Sequence, residues 1–140
     1  MRRAILASTF VLPLLAAGCG NDALTALLTQ PTVTVTVTDT FTGTVGQNGA
    51  TSHPFPVVST GGGDVIVSLK TVSPDAGAVI GLSLGTWNGT ACQAVISNDR
   101  ATVSSAILGR ATTTGTLCVR VFDVGALTEP QDYEVEVVHP

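Results

Sequence analysis

The chain has 140 residues, a formal net charge of −4 at pH 7, only 11% charged residues and three cysteines. A chain of this length has room for one domain with one hydrophobic core. Its few cations are not clustered as in surfaces that bind nucleic acids or anionic lipids, so the composition argues against both classes of partner. Abundant valine and threonine favour β-structure, because β-branched side chains fit a pleated, half-buried surface.

The first 18 residues have the composition of an export signal. Arg2 and Arg3 precede an uncharged apolar run from Ala4 to Ala17. This run is shorter than the stretch of about 20 apolar residues that a membrane-spanning helix needs. A positive start followed by a short apolar run that ends in small residues is typical of a secretory signal. We therefore expect the chain to be exported.

Residues Leu14 to Cys19 resemble the lipobox of bacterial lipoprotein signal peptides. The resemblance implies that residues 1–18 are removed and that the Cys19 sulfur carries a diacylglycerol group, which anchors the protein in a membrane. The alternative is an ordinary signal peptidase cut nearby, which would leave Cys19 as a free thiol. In the sorting rule of these lipoproteins an aspartate after the cysteine favours the inner membrane. Gly20 stands there, so the resemblance implies the outer membrane of a bacterial cell envelope.

The cysteine count agrees with a lipid anchor, because three cysteines in an exported protein leave an odd one. With Cys19 lipidated, Cys92 and Cys118 are predicted to form a disulfide in an oxidising compartment. Closing this loop should stabilise the fold by ~3 to 4 kcal/mol in the chain-entropy model. The two cysteines lack the spacing of a zinc site, and His53 and His139 are far apart in the sequence. We therefore predict no metal ligands and no cofactor, and we expect both histidines to be solvated.

Export would leave 122 residues, which carry ten acidic and four basic side chains. Residues 19–31 are interpreted as a lipidated tether. Three leucines at helical spacing lie within it, but the run is too short for a helix that is stable alone. Residues 32–140 are interpreted as the folded domain.

The domain begins with a run in which valine and threonine alternate from Thr32 to Thr38. This period of two predicts a half-buried strand with Val33, Val35 and Val37 on one face. A β-segment with low charge and no proline is an aggregation hazard if its edge stays open. We therefore expect this strand to be paired.

The remaining chain alternates short β-patterns with turn residues, as sandwiches and barrels do. Such β-patterns cover residues 39–45 and 55–60, and weaker ones cover residues 91–97 and 103–108. Stronger alternation predicts these inward-facing residues: Val65, Val67, Leu69, Ile80, Leu82, Leu84, Leu117, Val119, Val121, Tyr133, Val135 and Val137. The sequence thus predicts an all-β sandwich of about eight or nine strands. Because Cys118 is out of phase with its apolar neighbours, the disulfide is expected on the outer surface of a sheet or at its edge.

Four segments together resemble the bacterial pre-peptidase C-terminal domain, over about residues 38–139. They are Phe41–Thr44, Val65–Leu69, Gly115–Gly125 and Tyr133–Val137. The resemblance implies a jelly-roll-like β-sandwich without catalytic activity, since members are commonly appended to secreted peptidases and relatives bind matrix proteins, sugars or calcium. No peptidase accompanies the domain here, so only the fold and a general binding role are carried over.

One segment, Gly81–Gly85, matches the G-x-S-x-G pattern of the nucleophile elbow of α/β-hydrolases. The elbow needs a strand, a strained turn and a helix within a much longer fold. Here Ser83 alternates with apolar residues in a predicted strand, so we expect no catalysis.

Two weaker features are candidates for ligand binding. Asp123, Glu129 and Asp132 lie in or beside one connection between strands, and whether they hold calcium is left open. Trp87 is placed in a turn, where its ring either caps the core or meets a sugar. The sequence therefore predicts a non-catalytic, lipid-anchored envelope protein whose domain binds a protein partner or serves as a structural part. The alternative is a module that binds carbohydrate or peptidoglycan through the loops around Trp87.

Overall fold

The computed structural model describes residues 35–140. The predicted signal peptide, the lipidation site Cys19, the tether and Val33 lie outside the described residues. The strands are β1 (Val37–Val45), β2 (Ala50–Val57), β3 (Gly63–Ser73), β4 (Ile80–Trp87), β5 (Cys92–Ala101), β6 (Ala106–Ala111), β7 (Gly115–Phe122) and β8 (Gln131–His139).

The eight strands form two four-stranded antiparallel sheets. Sheet A has the strand order β1-β8-β3-β6, and sheet B has the order β2-β7-β4-β5. Every connection except β4–β5 passes from one sheet to the other, which is the arrangement of an eight-stranded jelly roll. The prediction of an all-β, jelly-roll-like sandwich is therefore confirmed. Between residues 35 and 140, no helix has the length and hydrophobicity of a membrane span.

The core lies between the sheets and follows the predicted alternation. Of the predicted inward-facing residues, Leu117 is partly buried and packs against the core, and the others are buried. Phe55 of β2 and Val45 of β1 are also buried in this core. Burying apolar side chains of this size stabilises the fold by roughly 1.5–3 kcal/mol each, before the cost of ordering the chain is counted.

The first strand begins later than its sequence pattern indicates. β1 starts at Val37, which lies opposite His139 of β8, while Val35 lies before the strand. The Val35 and Val37 side chains are 73% and 41% exposed. The expectation of a half-buried strand through Val35 is therefore wrong, because β8 ends at His139, opposite Val37, and has no residue that could pair with Val35.

The second strand also departs from its prediction, because it begins at Ala50 rather than near residue 55. It contains Pro54 and Pro56, and within sheet B it pairs only with β7. Proline cannot donate to a ladder, so it is found on edge strands. The two prolines make this edge of sheet B a poor template for a further strand.

Five rings from β1, β2 and β8 contact one another at the long side of the sandwich where β1 meets β2. We call this side the closed edge. The rings belong to Phe41, His53, Phe55, Tyr133 and His139. The Phe41 and His53 rings stack with centroids 5.0 Å apart, and those of Phe55 and His139 are 4.8 Å apart. Together they fill the space between the two sheets.

Both histidines are held by hydrogen bonds at the closed edge. His53 Nε2 lies 2.8 Å from the Tyr133 hydroxyl, and His139 Nε2 lies 3.0 Å from Asp39 Oδ2. The His139 residue is only 2% exposed. The expectation of solvated histidines is therefore wrong. His139 continues the inward alternation of Val135 and Val137. This alternation would have predicted its burial, but its position near the end of the chain favoured exposure.

Candidate functional site

The opposite long side of the sandwich is where β5 and β6 lie beside each other, and we call it the open edge. β5 is the last strand of sheet B and β6 the last of sheet A, so each pairs on one side only within the described chain. A cavity of about 300 Å³ opens between them, which we call the edge groove. Its volume is at the lower end of the range for ligand-binding clefts.

The edge groove has an apolar floor. Val57, Leu84 and Leu117 lie at its base, Val95 and Ile96 of β5 form one side, and residues 109–111 of β6 form the other. Residues 112–116, which include four threonines, close one end. The lining thus offers methyl groups and hydroxyls but no aromatic ring.

Large apolar side chains are exposed along the open edge. Val95 is 73% exposed and Leu108, on the outer side of β6, is 70% exposed. Ile96 is also partly exposed, and its Cδ1 lies near Gly109 of β6. Val95 and Ile96 thus add exposed apolar surface to the groove, whereas Leu108 lies outside its lining.

Gly109 of β6 allows close packing between the two sheets at the groove. A Cβ placed on Gly109 would lie 2.5 Å from Leu84 Cδ2, closer than carbon atoms approach. The absence of a side chain therefore lets Leu84 of sheet B pack directly against the backbone of β6.

The groove is nearly neutral in charge. Of the residues that line it, only Arg110 is charged, and its Nη1 lies 2.9 Å from Asp64 Oδ1. Both side chains of this pair are largely exposed, so the ion pair contributes at most about 1 kcal/mol. Charge therefore does not determine what the groove accepts.

The G-x-S-x-G segment lies within β4 and not at a strand-to-helix turn. Gly81, Ser83 and Gly85 alternate with Leu82 and Leu84, so the three small residues face outward from sheet B. The Ser83 hydroxyl is buried and has no hydrogen-bond partner among residues 35–140. It therefore lacks the hydrogen-bonded base that activates a serine nucleophile.

The small residues make room for bulky side chains of β7. The Phe122 ring covers Gly81 so closely that a Cβ there would collide with it. The Arg120 guanidinium carbon lies 4.8 Å from the centroid of the Phe122 ring, a cation–π contact. The motif is thus explained by packing on the outer face of sheet B.

The predicted disulfide is present and joins β5 to β7 across the intervening strand β4. The Cα atoms of Cys92 and Cys118 are 5.7 Å apart. Gly85 of β4 permits this approach, because a Cβ there would collide with the Gln93 carbonyl oxygen. Cys118 alternates with core residues and so faces outward, as predicted, but its side chain is fully buried.

Trp87 is the last residue of β4, opposite Cys92, and is half-buried. It follows the outward alternation of Ser83 and Gly85 and lies outside the core cluster and the edge groove. The Asn88 side chain shapes the adjacent turn by accepting hydrogen bonds from the backbone N–H groups of residues 90 and 91. Sugar binding at Trp87 stays a prediction.

The three candidate calcium ligands are not brought together. No group of three His, Cys, Asp or Glu side chains with metal-binding geometry occurs between residues 35 and 140. The Asp123 carboxylate instead accepts backbone N–H bonds from Asn48 and from residues 125–127. These bonds, that of Asn48 first, hold the pKa of Asp123 below its ordinary value. Asp123 therefore fixes two turns together, and Glu129 and Asp132 do not share its site.

Comparison with known proteins shows the fold alone. No family model and no curated protein match the chain. Its structure resembles the mitogen derived from Yersinia pseudotuberculosis, with a TM-score of 0.54, 17% identity and coverage of 74% of this chain and 86% of that chain. It also resembles PliG of Aeromonas hydrophila, a periplasmic lysozyme inhibitor of g-type lysozyme, with a TM-score of 0.50, 12% identity and coverage of 73% and 84%.

The sequence patterns predicted Leu84 and Leu117 as inward-facing but did not indicate an edge groove. Val95 and Ile96 lie in a weak β-pattern, and nothing in that pattern shows that β5 is the last strand of its sheet. The available signal was the absence of charge from Cys92 to Ser97. Exposed edge strands usually carry charged residues that prevent pairing with other chains, so an uncharged edge strand indicates a candidate contact surface.

Proposed function

We propose that this chain is a non-catalytic, lipid-anchored module of the bacterial envelope that binds a protein partner through the edge groove. The observation that carries the proposal is the combination of an apolar groove with exposed apolar side chains at the open edge. A protein segment that covered Val95 and Ile96 would remove this surface from water, at roughly 25 cal/mol per Å² of apolar area.

A protein partner fits the groove better than a carbohydrate. Sugars bind through aromatic rings and dense hydrogen-bonding groups, and the groove lining has no aromatic side chain. Trp87, the aromatic candidate for sugar binding, lies elsewhere on sheet B. An extended protein segment, in contrast, would cover the apolar floor with its side chains and form backbone hydrogen bonds with the free side of β5.

The proposed lipid anchor rests on the lipobox resemblance at Cys19. The mature protein would then be held on a membrane, with the outer membrane favoured by Gly20. Intact mass of the protein from its native membrane tests this part. A mass that begins at Cys19 and includes a diacylglyceryl group supports the anchor, and an unmodified cysteine contradicts it.

Site-specific photo-crosslinking in the native host tests the groove. A photoreactive amino acid replaces Val95, which is exposed, so the fold should be unaffected. We expect crosslinked species containing a protein, and we expect them to be lost when Ile96→Lys is added. The matched control carries the photoreactive residue at Thr42, which is exposed on the outer face of sheet A. Equal crosslinking from both positions, or none from Val95, would contradict the proposal.

A further inference from the structure

We propose that the segment that occupies the edge groove is the valine–threonine run of a second copy of this chain. In this arrangement Thr32–Val37 of one copy adds as an extra strand along β5 of another, with its valines directed toward the groove. The inference rests on the proposed function, because it identifies the partner at the same groove.

The donor run has the pattern of a strand, and its described valines are exposed. Valine and threonine alternate from Thr32 to Val37. Val35 and Val37, the two valines of the run that the structure describes, are 73% and 41% exposed. Their own domain therefore leaves them in water. A strand of this pattern gains stability from a second surface that covers the valines.

The acceptor strand offers a free edge of matching character. Among the described strands β5 pairs only with β4, so its other side has backbone N–H and C=O groups available for a ladder. Its first part, Cys92–Ser97, contains neither proline nor a charged residue. The edge strand β2 at the other side contains Pro54 and Pro56. A bulge interrupts the pairing of β5 with β4 between residues 94 and 96, but this part of the edge lacks proline and charge, and strand addition uses such edges.

The two runs match in length and in charge. Thr32–Val37 and Cys92–Ser97 are each six residues, so each spans about 20 Å as a strand. Neither run is charged, although the whole protein is acidic and its copies repel one another. The pairing of β5 with β4 shifts register between Ala94 and Ile96, and both Val95 and Ile96 line the groove. In the added strand the valines would face this side and the threonines would face solvent.

The contact would join two different surfaces of the molecule. Val37 is paired with His139 at the closed edge, whereas β5 lies at the open edge. A donor at one side and an acceptor at the other give a head-to-tail contact, which continues into chains or closes into rings of more than two copies. Copies held on one membrane would meet in this way at high local concentration.

Two single variants of the full-length, lipidated protein test the inference. Val35→Asp damages the donor and Val95→Asp damages the acceptor, and each replaced side chain is 73% exposed, so neither change should unfold the domain. Native mass spectrometry from detergent measures the assembly. We expect the unmodified protein to form species larger than dimers, and each variant alone to be monomeric.

An equimolar mixture of the two variants provides the decisive result. The Val35→Asp copy keeps an intact acceptor and the Val95→Asp copy keeps an intact donor, so we expect a dimer with one copy of each. Isotope labelling of one variant identifies it by mass. The control Thr128→Asp adds the same charge in an exposed loop and should assemble as the unmodified protein does.

Three outcomes would overturn the inference: a monomeric unmodified protein, assemblies that both variants leave intact, or a mixture that stays monomeric. If one of these occurs while Val95 still crosslinks to a different protein in the host, the proposed function stands and only the identity of the partner is wrong. If Val95 crosslinks to nothing, the proposed function fails as well.

Discussion

The closed edge and the open edge of the sandwich differ in how the last strands are covered. At the closed edge, rings from both sheets fill the interior and two prolines interrupt the free side of β2. At the open edge, Gly109 and exposed aliphatic side chains border a groove. The difference shows that one long side of this fold is closed by packed rings, whereas the other leaves apolar side chains exposed beside a groove.

The largest expected effect comes from removing a ring at the closed edge. Phe55 is buried and contacts both Phe41 and His139. Phe55→Ala should lower the free energy of unfolding by about 3–5 kcal/mol, because it leaves a cavity between the sheets. The open-edge counterpart, Ile96→Ala, should cost less than about 1 kcal/mol, since Ile96 is partly exposed. Urea denaturation measures both, and similar losses would contradict the distinction between the edges.

Two glycine substitutions of intermediate effect sharpen the comparison. A Cβ on Gly43 would lie 2.6 Å from the hydroxyl of Tyr133, a rigid ring held by His53. Gly43→Ala should therefore cost about 1–3 kcal/mol through overpacking. On Gly109 the same Cβ meets the flexible end of Leu84, which can turn into the groove.

Gly109→Ala should accordingly cost under about 1 kcal/mol, the lower end of what overpacking costs. Thermal unfolding of both variants beside the unmodified protein provides the measurement. If Gly109→Ala destabilises the protein as much as Gly43→Ala does, the open edge is packed as rigidly as the closed one.

The smallest expected effect is a pH dependence of stability from His53. Burial lowers the pKa of His53 below its ordinary value of 6.5. The unfolded chain therefore takes up this proton more readily, so the free energy of unfolding should fall as the pH drops below about 6.5 and level off below the folded-state pKa.

Replacing the histidine isolates this contribution. His53→Gln keeps a polar partner for Tyr133 but removes the titration, so the fall in stability between pH 7 and pH 5 should become smaller. Ile96→Ala at the open edge should leave the pH dependence unchanged. Chemical denaturation at several pH values measures the slope, and an identical slope in His53→Gln would show that other groups cause it.

The sequence predicted those features that depend on local alternation. The period of two predicted inward positions such as Val65, Ile80 and Val135. The odd number of cysteines predicted the disulfide between Cys92 and Cys118. The open edge was not predicted, because strand order decides which strand is last in a sheet, and strand order depends on long-range pairing. His139 was predicted to be solvated for a different reason: its position next to the end of the chain was weighed above its place in the inward alternation.

The outward-facing glycine Gly81 couples the possible sequences of β4 and β7. A side chain at position 81 requires a smaller residue than Phe122, and this change in turn removes the support of Arg120. A side chain at position 85 requires that the backbone beside Cys92 move away, which strains the link to Cys118. A substitution at position 81 should therefore be tolerated only together with a smaller residue at position 122, whereas a side chain at position 85 meets the backbone of β5 and should be rejected in either case.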